Sequence, residues 1–480
     1  MPLGPTPPLT RRALMGGLAG AAVLGLTVDR GASADARTGP TAARSTGSRL
    51  TRSAGLTAAR PNILLVVADD LGRGEVGAYG QQVLQTPVLD GLAAEGLRFS
   101  QAYAAPTCAP TRCSLFTGLH SGHARVRSNM FGPQGLLPGD VTVAEVLRRA
   151  GYATALVGKW GFGPDRAGQP SHPNRQGFDH FFGYLTHQHA HDYWPTYLWR
   201  NGHRVSYPEN KHADKSYAGD LITRDALRFL DRADPAKPFF LDVSYTTPHA
   251  PNEIPDPAPY ADRTWPKGER NHAAQVTWTD TQVGLLLARL AERGLDRNTL
   301  VMVISDNGPH GEGAHYGHVG SHLPHSVGFF DSNGTLQGKK RSLHEGGIRI
   351  PMIARIPETV RTAGSPAPGT VIRTPVAVWD LLPTFAHLAG ARTPRGLDGI
   401  SFTPTLRGLR QRRHTHFYWQ HRDELFGEAV RFGNWKAIRY DRGRVRLYRL
   451  DRDVGEVHDV ARAHPAAVRR AKKLFASAVA

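Results

Sequence analysis

Short apolar runs alternate along the chain with longer stretches in which apolar residues recur every three or four positions. The runs are Ile63 to Ala68, Ala153 to Val157, Phe239 to Tyr245, Leu300 to Ile304 and Ile350 to Arg355. Their length and their content of Val, Ile and Leu predict buried strands. Between them, Thr86 to Arg98, Thr142 to Ala150, Asp220 to Arg232 and Ala273 to Arg293 carry helical spacing. This alternation predicts an α/β fold, a large and mostly parallel sheet sandwiched by helices. A helix expected within Thr374 to Ala389 closes that region, and a loop through Gly396 to Gly399 follows. After Gly408 the pattern changes to short strands at His416 to Trp419, Ala429 to Phe432, Trp435 to Tyr440 and Val445 to Leu450. They predict a smaller antiparallel sheet, closed by a helix from Pro465 to Val479. No internal repeat is present.

The residues just after each run carry the chemistry. In open α/β sheets, ligands bind beyond the carboxyl ends of the strands. The first run ends in Asp69-Asp70 and the fourth in Ser305-Asp306-Asn307-Gly308. The second leads into Gly158-Lys159-Trp160, and the third into Thr246-Thr247-Pro248-His249. Asp69, Asp70, Asp306 and Asn307 are hard oxygen donors, suited to Ca²⁺ or Mg²⁺ rather than zinc. Taken alone, Asp69-Asp70 also reads as a pair of turn-capping carboxylates. Its pairing with a second acidic strand end favours a cation.

Net charge is +18, a balance that attracts polyanions through its long-range field. The surplus is scattered and no nucleic-acid recognition motif appears, so nucleic acid is not expected as a partner. A polyanionic glycan would benefit from the same field, and a simply solvated basic surface accounts for the charge equally well. The chain has two cysteines, Cys108 and Cys113, and therefore no disulfide framework. Two neighbouring cysteines point to chemistry at one of them, with Cys113 read as a small packing residue. At the N-terminus, Thr10-Arg11-Arg12 precedes an apolar run from Ala13 to Leu26, too short to span a bilayer, and then Ala32-Ser33-Ala34. Residues 1–34 read as a twin-arginine export signal and 35–60 as a disordered lead-in. Residues 61–408 would form the catalytic α/β domain and 409–480 a C-terminal α+β subdomain. The expected location is secreted or periplasmic, reached through the twin-arginine machinery and without a stable membrane anchor.

Cys108-Ala109-Pro110-Thr111-Arg112, followed by Cys113-Ser114-Leu115-Phe116-Thr117-Gly118, resembles the maturation signal of the type I sulfatases. A buried or disulfide-bonded cysteine at a helix start is the plainer reading of Cys108 alone. The resemblance extends in order through Pro61-Asn62-Ile63, Asp69-Asp70, Gly151-Tyr152, Gly158-Lys159-Trp160, Thr247-Pro248-His249 and Ser305 to Gly308. It continues through Gly338-Lys339-Lys340, Glu345 to Pro351, Trp435-Lys436 and Leu447-Tyr448 to Asp459-Val460. From about Arg60 to its C-terminus the chain is therefore similar to the arylsulfatase-like sulfatases of the alkaline phosphatase superfamily.

That resemblance implies a sulfuric ester hydrolase in which a formylglycine-generating enzyme converts Cys108 to an aldehyde. Asp69, Asp70, Asp306, Asn307 and an oxygen of the modified Cys108 would bind one cation, Ca²⁺ first and Mg²⁺ as the alternative. One hydroxyl of the hydrate attacks sulfur, and the other expels sulfate as the aldehyde re-forms. Arg112, Lys159 and Lys340 would neutralise the charge that builds on sulfur's oxygens. His249 would protonate the departing alcohol. The implied substrates are sulfated small molecules or glycans, with aryl sulfates as artificial substrates. Alternatives are a phosphonate or phosphate ester hydrolase of the same superfamily, or a non-catalytic secreted protein that binds polyanions.

One departure stands out. Many family members have Gly-Lys-Trp-His, whereas this chain has Gly161 at the fourth position. Two histidine groups offer replacements. The first is His187, His189 and His191; the second runs from His310 through His315, His318, His322 and His325. His191 and His310 are the substrate or proton-transfer candidates. The irregular spacing of the second group argues against a second metal, and residues 316–328 read as a loop insertion near the substrate path.

Overall fold

The computed structural model describes residues 60–130, 135–311 and 323–478. The expected export signal, the lead-in up to residue 59, and His315, His318 and His322 lie outside the described residues.

The apolar runs become the centre of a 10-stranded sheet. Thr299–Ser305, Asn62–Ala68, Phe239–Ser244, Ala153–Lys159 and His180–Tyr184 lie side by side and parallel. Both faces are covered, which is why these strands read as continuous apolar runs rather than alternating ones. Successive side chains still point to opposite faces. Ile63, Leu65, Val67, Met302 and Ile304 pack with Phe116, Leu147, Leu382 and Phe385 from helices Cys108–Thr117, Val143–Arg149 and Leu381–Leu388. Leu64, Val66, Leu241 and Val303 pack with Leu89, Ile222, Val283 and Leu286 from helices Pro87–Glu95, Ala218–Asp231 and Lys267–Glu292. The α/β expectation holds.

The edges differ from expectation. The run Ile350 to Arg355 is not one strand, because Pro351 has no N–H to donate to a ladder. Arg349–Ile350 pairs with Ala102–Tyr103 in a 3-stranded sheet. Met352–Arg355 instead runs antiparallel to Thr299–Ser305 in the main sheet. At the opposite edge, Tyr197–Arg200 and His203–Ser206 form a hairpin that the apolar pattern does not mark, since its residues are mostly half-exposed or exposed. The helix expected to reach Arg98 stops at Glu95, where Gly96 intervenes and Leu97–Phe99 joins the sheet. The long helix begins earlier than its apolar periodicity, at Lys267 after Pro266.

The C-terminal strands Phe417–His421, Gly427–Phe432, Trp435–Tyr440 and Arg446–Arg449 form the antiparallel sheet expected of them. Helix Pro465–Ser477 covers one face through Ala471 and Phe475. The other face is not solvated. Phe417, Trp419, Ala429 and Ile438 join the core of the main sheet, and Trp419 Nε1 donates to the Ala104 carbonyl at 2.9 Å. A buried ion cluster fastens the two parts together. Lys436 lies 3.0 Å from both Glu345 and Glu456, while Glu345 also accepts from Tyr103 Oη at 2.8 Å and pairs with Arg349 at 3.3 Å.

Burial alone would raise the pKa of Glu345, but Lys436 and then Arg349 and Arg431 hold it down at about 2. Because its folded value lies below the ordinary 4.5, its contribution to stability is complete above about pH 4.5 and fades as pH falls towards 2. Lys436→Met is expected to cost about 3–5 kcal/mol at neutral pH, because two buried carboxylates lose the one ammonium they share. Urea unfolding at pH 7 and pH 4 checks this: the deficit should shrink at the lower pH, and equal deficits at both would refute the ion-cluster account.

Candidate active site

Four parallel strands deliver their next residues to one edge of the sheet, and helix Cys108–Thr117 faces that edge. After Asn62–Ala68 the backbone turns sharply, with Asp70 in the left-handed region at φ 66. That conformation is costly for a residue with a side chain and is held by its surroundings. The Asp69 amide donates to the Thr247 carbonyl at 3.0 Å, and the Asp70 amide donates to Asp306 Oδ1 at 3.1 Å. Gly308 follows Asp306-Asn307 for a steric reason, since a Cβ there would sit 1.8 Å from the Gly346 carbonyl oxygen. This close approach seats the turn that carries Lys340, whose amide donates to the Pro309 carbonyl at 3.0 Å.

The side chains form three buried ion pairs. Lys159 Nζ bonds Asp69 Oδ2. Arg112 Nε and Nη2 donate to Asp306 Oδ2 at 3.2 and 3.0 Å, while Nη1 donates to the Lys159 carbonyl at 2.8 Å. Lys340 Nζ donates to Asp70 Oδ2 at 2.8 Å and to His249 Nε2 at 2.8 Å. Asn307 Nδ2 donates to Asp70 Oδ1 at 2.6 Å. Cys108, at the first position of its helix, is fully buried, and its Sγ lies within 4.8 Å of ligand atoms of Asp69 and Asp306. All nine side chains expected at the site are thus brought together.

His249 is sandwiched between His191 on one side, at 4.4 Å between ring centroids, and His310 on the other, at 5.8 Å. Its Nδ1 faces the Ala250 carbonyl, which can only accept, so Nδ1 carries the hydrogen and Nε2 presents its lone pair to Lys340. His310 lies behind His249, fully buried, with Nε2 donating to the Pro248 carbonyl at 3.0 Å. Burial, and for His249 the Lys340 ammonium and for His191 the His249 ring, push both imidazoles well below the usual histidine range. Burial would raise Asp69, yet Lys159, His249 and Arg112 hold it far below the usual carboxylate range. Burial and the neighbouring Asp69 charge raise Asp306 to about 7. Burial likewise raises the Cys108 thiol.

Asp69 Oδ1 and Asn307 Oδ1 are buried without a hydrogen-bond partner among the described residues. Two orphaned hard oxygens beside the carboxylates of Asp70 and Asp306 fit a Ca²⁺- or Mg²⁺-type ion. Gly161 has φ 96, and a Cβ there would meet Arg112 Cδ at 2.7 Å. The glycine therefore leaves the space through which Arg112 reaches Asp306.

Three features escape sequence reasoning. Asn129 Nδ2 donates to Cys108 Sγ at 3.2 Å, from a loop whose Ser-Asn-Met sequence carries no motif. Asp423, which binds the amide of Asn129 at 2.8 Å, lies far along the chain. Behind His310, the rings of His272 and His325 stack at 3.6 Å, each bonded at 2.6 Å to a buried carboxylate, Glu75 and Glu269 respectively. Of that quartet only His325 falls in a histidine-rich stretch.

A sulfatase family model matches residues 61–391, and one described as N-sulphoglucosamine sulphohydrolase, C-terminal, matches residues 334–474. The steryl-sulfatase of Mus musculus is 32% identical in a match that covers 79% of this chain and 70% of that protein. The N-acetylgalactosamine-6-sulfatase of Canis lupus familiaris is 34% identical, over 78% of this chain and 71% of its own length. Among solved structures, Ps i-CgsB in complex with k-i-k-neocarrahexaose has a TM-score of 0.74 at 28% identity, covering 88% of this chain and 93% of that one.

Gly161→His should distort the site on steric grounds, combining a left-handed backbone with a clash against Arg112. The expected cost is about 1–3 kcal/mol, read as a lowered Tm. An unchanged Tm would show that Arg112 has room to move aside.

Proposed function

The chain belongs to the sulfatase family and is a sulfuric ester hydrolase, and we propose that it acts on carbohydrate sulfate monoesters through Cys108 in its formylglycine form and one divalent cation. The observation that carries this reading is the position of Cys108. It sits at a helix start, within 4.8 Å of Asp69 and Asp306 ligand atoms, among three buried cations. The carbohydrate substrate class is supported by the N-acetylgalactosamine-6-sulfatase relative and by the neocarrahexaose bound to the structural neighbour.

Asp69, Asp70, Asp306 and Asn307 would hold the cation, Ca²⁺ first and Mg²⁺ second, together with an oxygen at position 108. When bound, the ion would polarise that oxygen and draw negative charge from the sulfate. As a hydrated aldehyde, position 108 would supply one hydroxyl to attack sulfur and a second whose collapse to a carbonyl releases sulfate.

The chain's own residues do the rest. Arg112, anchored by Asp306 and by the Lys159 carbonyl, places a guanidinium one helical turn from position 108. Lys159 and Lys340 present ammonium groups on either side of the acidic cluster, where they neutralise charge developing on the sulfuryl oxygens. His249 Nε2 accepts from Lys340 Nζ, so a proton for the departing alcohol oxygen would start on the Lys340 ammonium and reach that oxygen through Nε2. His191, stacked on His249, would orient it and contact the substrate, and His310 would support it from behind.

Residues 61–408 would make up the catalytic domain and 409–480 its C-terminal partner. Maturation by a formylglycine-generating enzyme and export through the twin-arginine route complete the reading. The export signal rests on the sequence before residue 35, and no helix among the described residues is long and apolar enough to cross a membrane.

Mass spectrometry of the peptide spanning Cys108, paired with a sulfate-release screen on defined sulfated saccharides and an aryl sulfate, tests the proposal. Aldehyde at 108 with sulfate release is the expected result. Preferential turnover of phosphate or phosphonate esters would overturn it. Cys108→Ser should manage at most one turnover, because a serine ester has no second hydroxyl with which to expel sulfate. Ca²⁺ at about 100 times its Kd should stabilise the folded protein by about 2.7 kcal/mol in a thermal melt. Asp306→Asn should lose most of that gain.

A further inference from the structure

The amide of Asn129 has only one way to face. Its Oδ1 accepts from the backbone N–H of Ala109 at 3.0 Å, and that N–H can do nothing but donate. Nδ2 must therefore point the other way, where it meets Cys108 Sγ at 3.2 Å. The loop is fastened from outside as well. Asp423 Oδ1 accepts from the Asn129 amide at 2.8 Å and from Ser128 Oγ, and Asp423 is itself buried, just beyond strand Phe417–His421 of the C-terminal sheet. A side chain held at both ends and aimed at the reacting atom is more than a helix cap.

We propose that Asn129 is a catalytic residue whose Nδ2 donates a hydrogen bond to the oxygen that takes the place of Sγ at position 108, and that Asp423 positions it. The inference rests on the formylglycine reading above, in which Sγ stands where that oxygen will be. A neutral donor there stabilises negative charge as the oxygen passes between hydroxyl and carbonyl. Asn129 cannot take up a proton, so it is not a substitute base for the histidine absent at position 161. It supplies hydrogen bonding from a different direction. The C-terminal sheet then belongs to the active site, through a path from Asp423 to Asn129 to position 108.

The test compares wild type, Asn129→Ala, Asp423→Ala and Asp423→Asn, all co-produced with a formylglycine-generating enzyme. Aldehyde content at 108 is measured by peptide mass, and kcat and KM on an aryl sulfate are expressed per aldehyde, so incomplete conversion cannot mimic the effect. Asn129→Ala should lower kcat by about 100-fold with little change in KM. Asp423→Ala should lower kcat by about tenfold through misplacement of the amide, and Asp423→Asn, which keeps an acceptor oxygen, should restore most of it. A readout independent of turnover is the trapping of the aldehyde by hydroxylamine. It should slow in Asn129→Ala, because the carbonyl loses a polarising donor. Wild-type kcat and trapping rate in Asn129→Ala would overturn the inference while leaving the sulfatase reading intact. A fully converted wild type that releases no sulfate from any ester would overturn both.

Discussion

Three carboxylates and three cations share one buried cluster, and each carboxylate has one cation as its nearest partner: Asp69 with Lys159, Asp306 with Arg112, and Asp70 with Lys340. Charges this deep are tolerated only in mutual company, because each alone would face a desolvation penalty of several kcal/mol. Removing one therefore unbalances the rest. The cluster also explains the local backbone, since Asp70 adopts its left-handed conformation with its amide on Asp306 and its carboxylate between Lys340 and Asn307. As it stands the set is formally neutral. A divalent cation would leave it positive by two, the sign needed to receive a sulfate monoester and to hold the charge that develops as sulfur is attacked.

The strength of this arrangement depends on parts of the chain that contribute nothing to the chemistry. Lys436 from the C-terminal sheet neutralises Glu345 and Glu456, and Glu345 opens the short helix that follows the Lys340 turn. The helix bearing Cys108 and Arg112 rests on Trp160 and Phe178, with Phe116 stacked on Trp160 at 4.7 Å. Trp160 directly follows the strand that ends in Lys159. Positioning the ammonium of Lys159 and supporting the helix of Cys108 are thus tasks of two consecutive residues. These long-range contacts hold the side chains of the site in place with no ligand present.

The legible part of the sequence was whatever local pattern dictates. Continuous apolar strands buried on both faces announce themselves, and so do the acidic and basic residues at their ends, because the α/β topology forces those ends to one edge. Illegible were contacts made by residues with no local signature. Asn129 sits in an unremarkable loop, and its partner Asp423 is almost 300 positions later, at a sequence separation of 294. The pairing of Glu75 with His272 spans 197 positions, beyond the reach of any spacing argument. The split of Ile350 to Arg355 was readable in principle, since Pro351 forbids a continuous ladder there. The polar first turns of helix Lys267–Glu292 were not, because Glu269, Asn271 and His272 are buried by tertiary partners rather than by their own character.

Gly161 links these threads. The absence of a side chain at 161 and the path of Arg112 are a single arrangement, because the space a Cβ would take is filled by Arg112 Cδ. In that position the guanidinium reaches Asp306 and the Lys159 carbonyl together, tying the helix to two strand ends. A histidine at 161 and this arginine geometry are therefore mutually exclusive without movement of one or the other. Among the described residues, the loop after the nucleophile's own helix bonds Cys108 through Asn129, and just beyond the first strand of the C-terminal sheet Asp423 supplies the carboxylate that holds it. Arg112 over Gly161 and Asn129 on Cys108 thus carry the site's hydrogen bonding to the boundary between the two sheets.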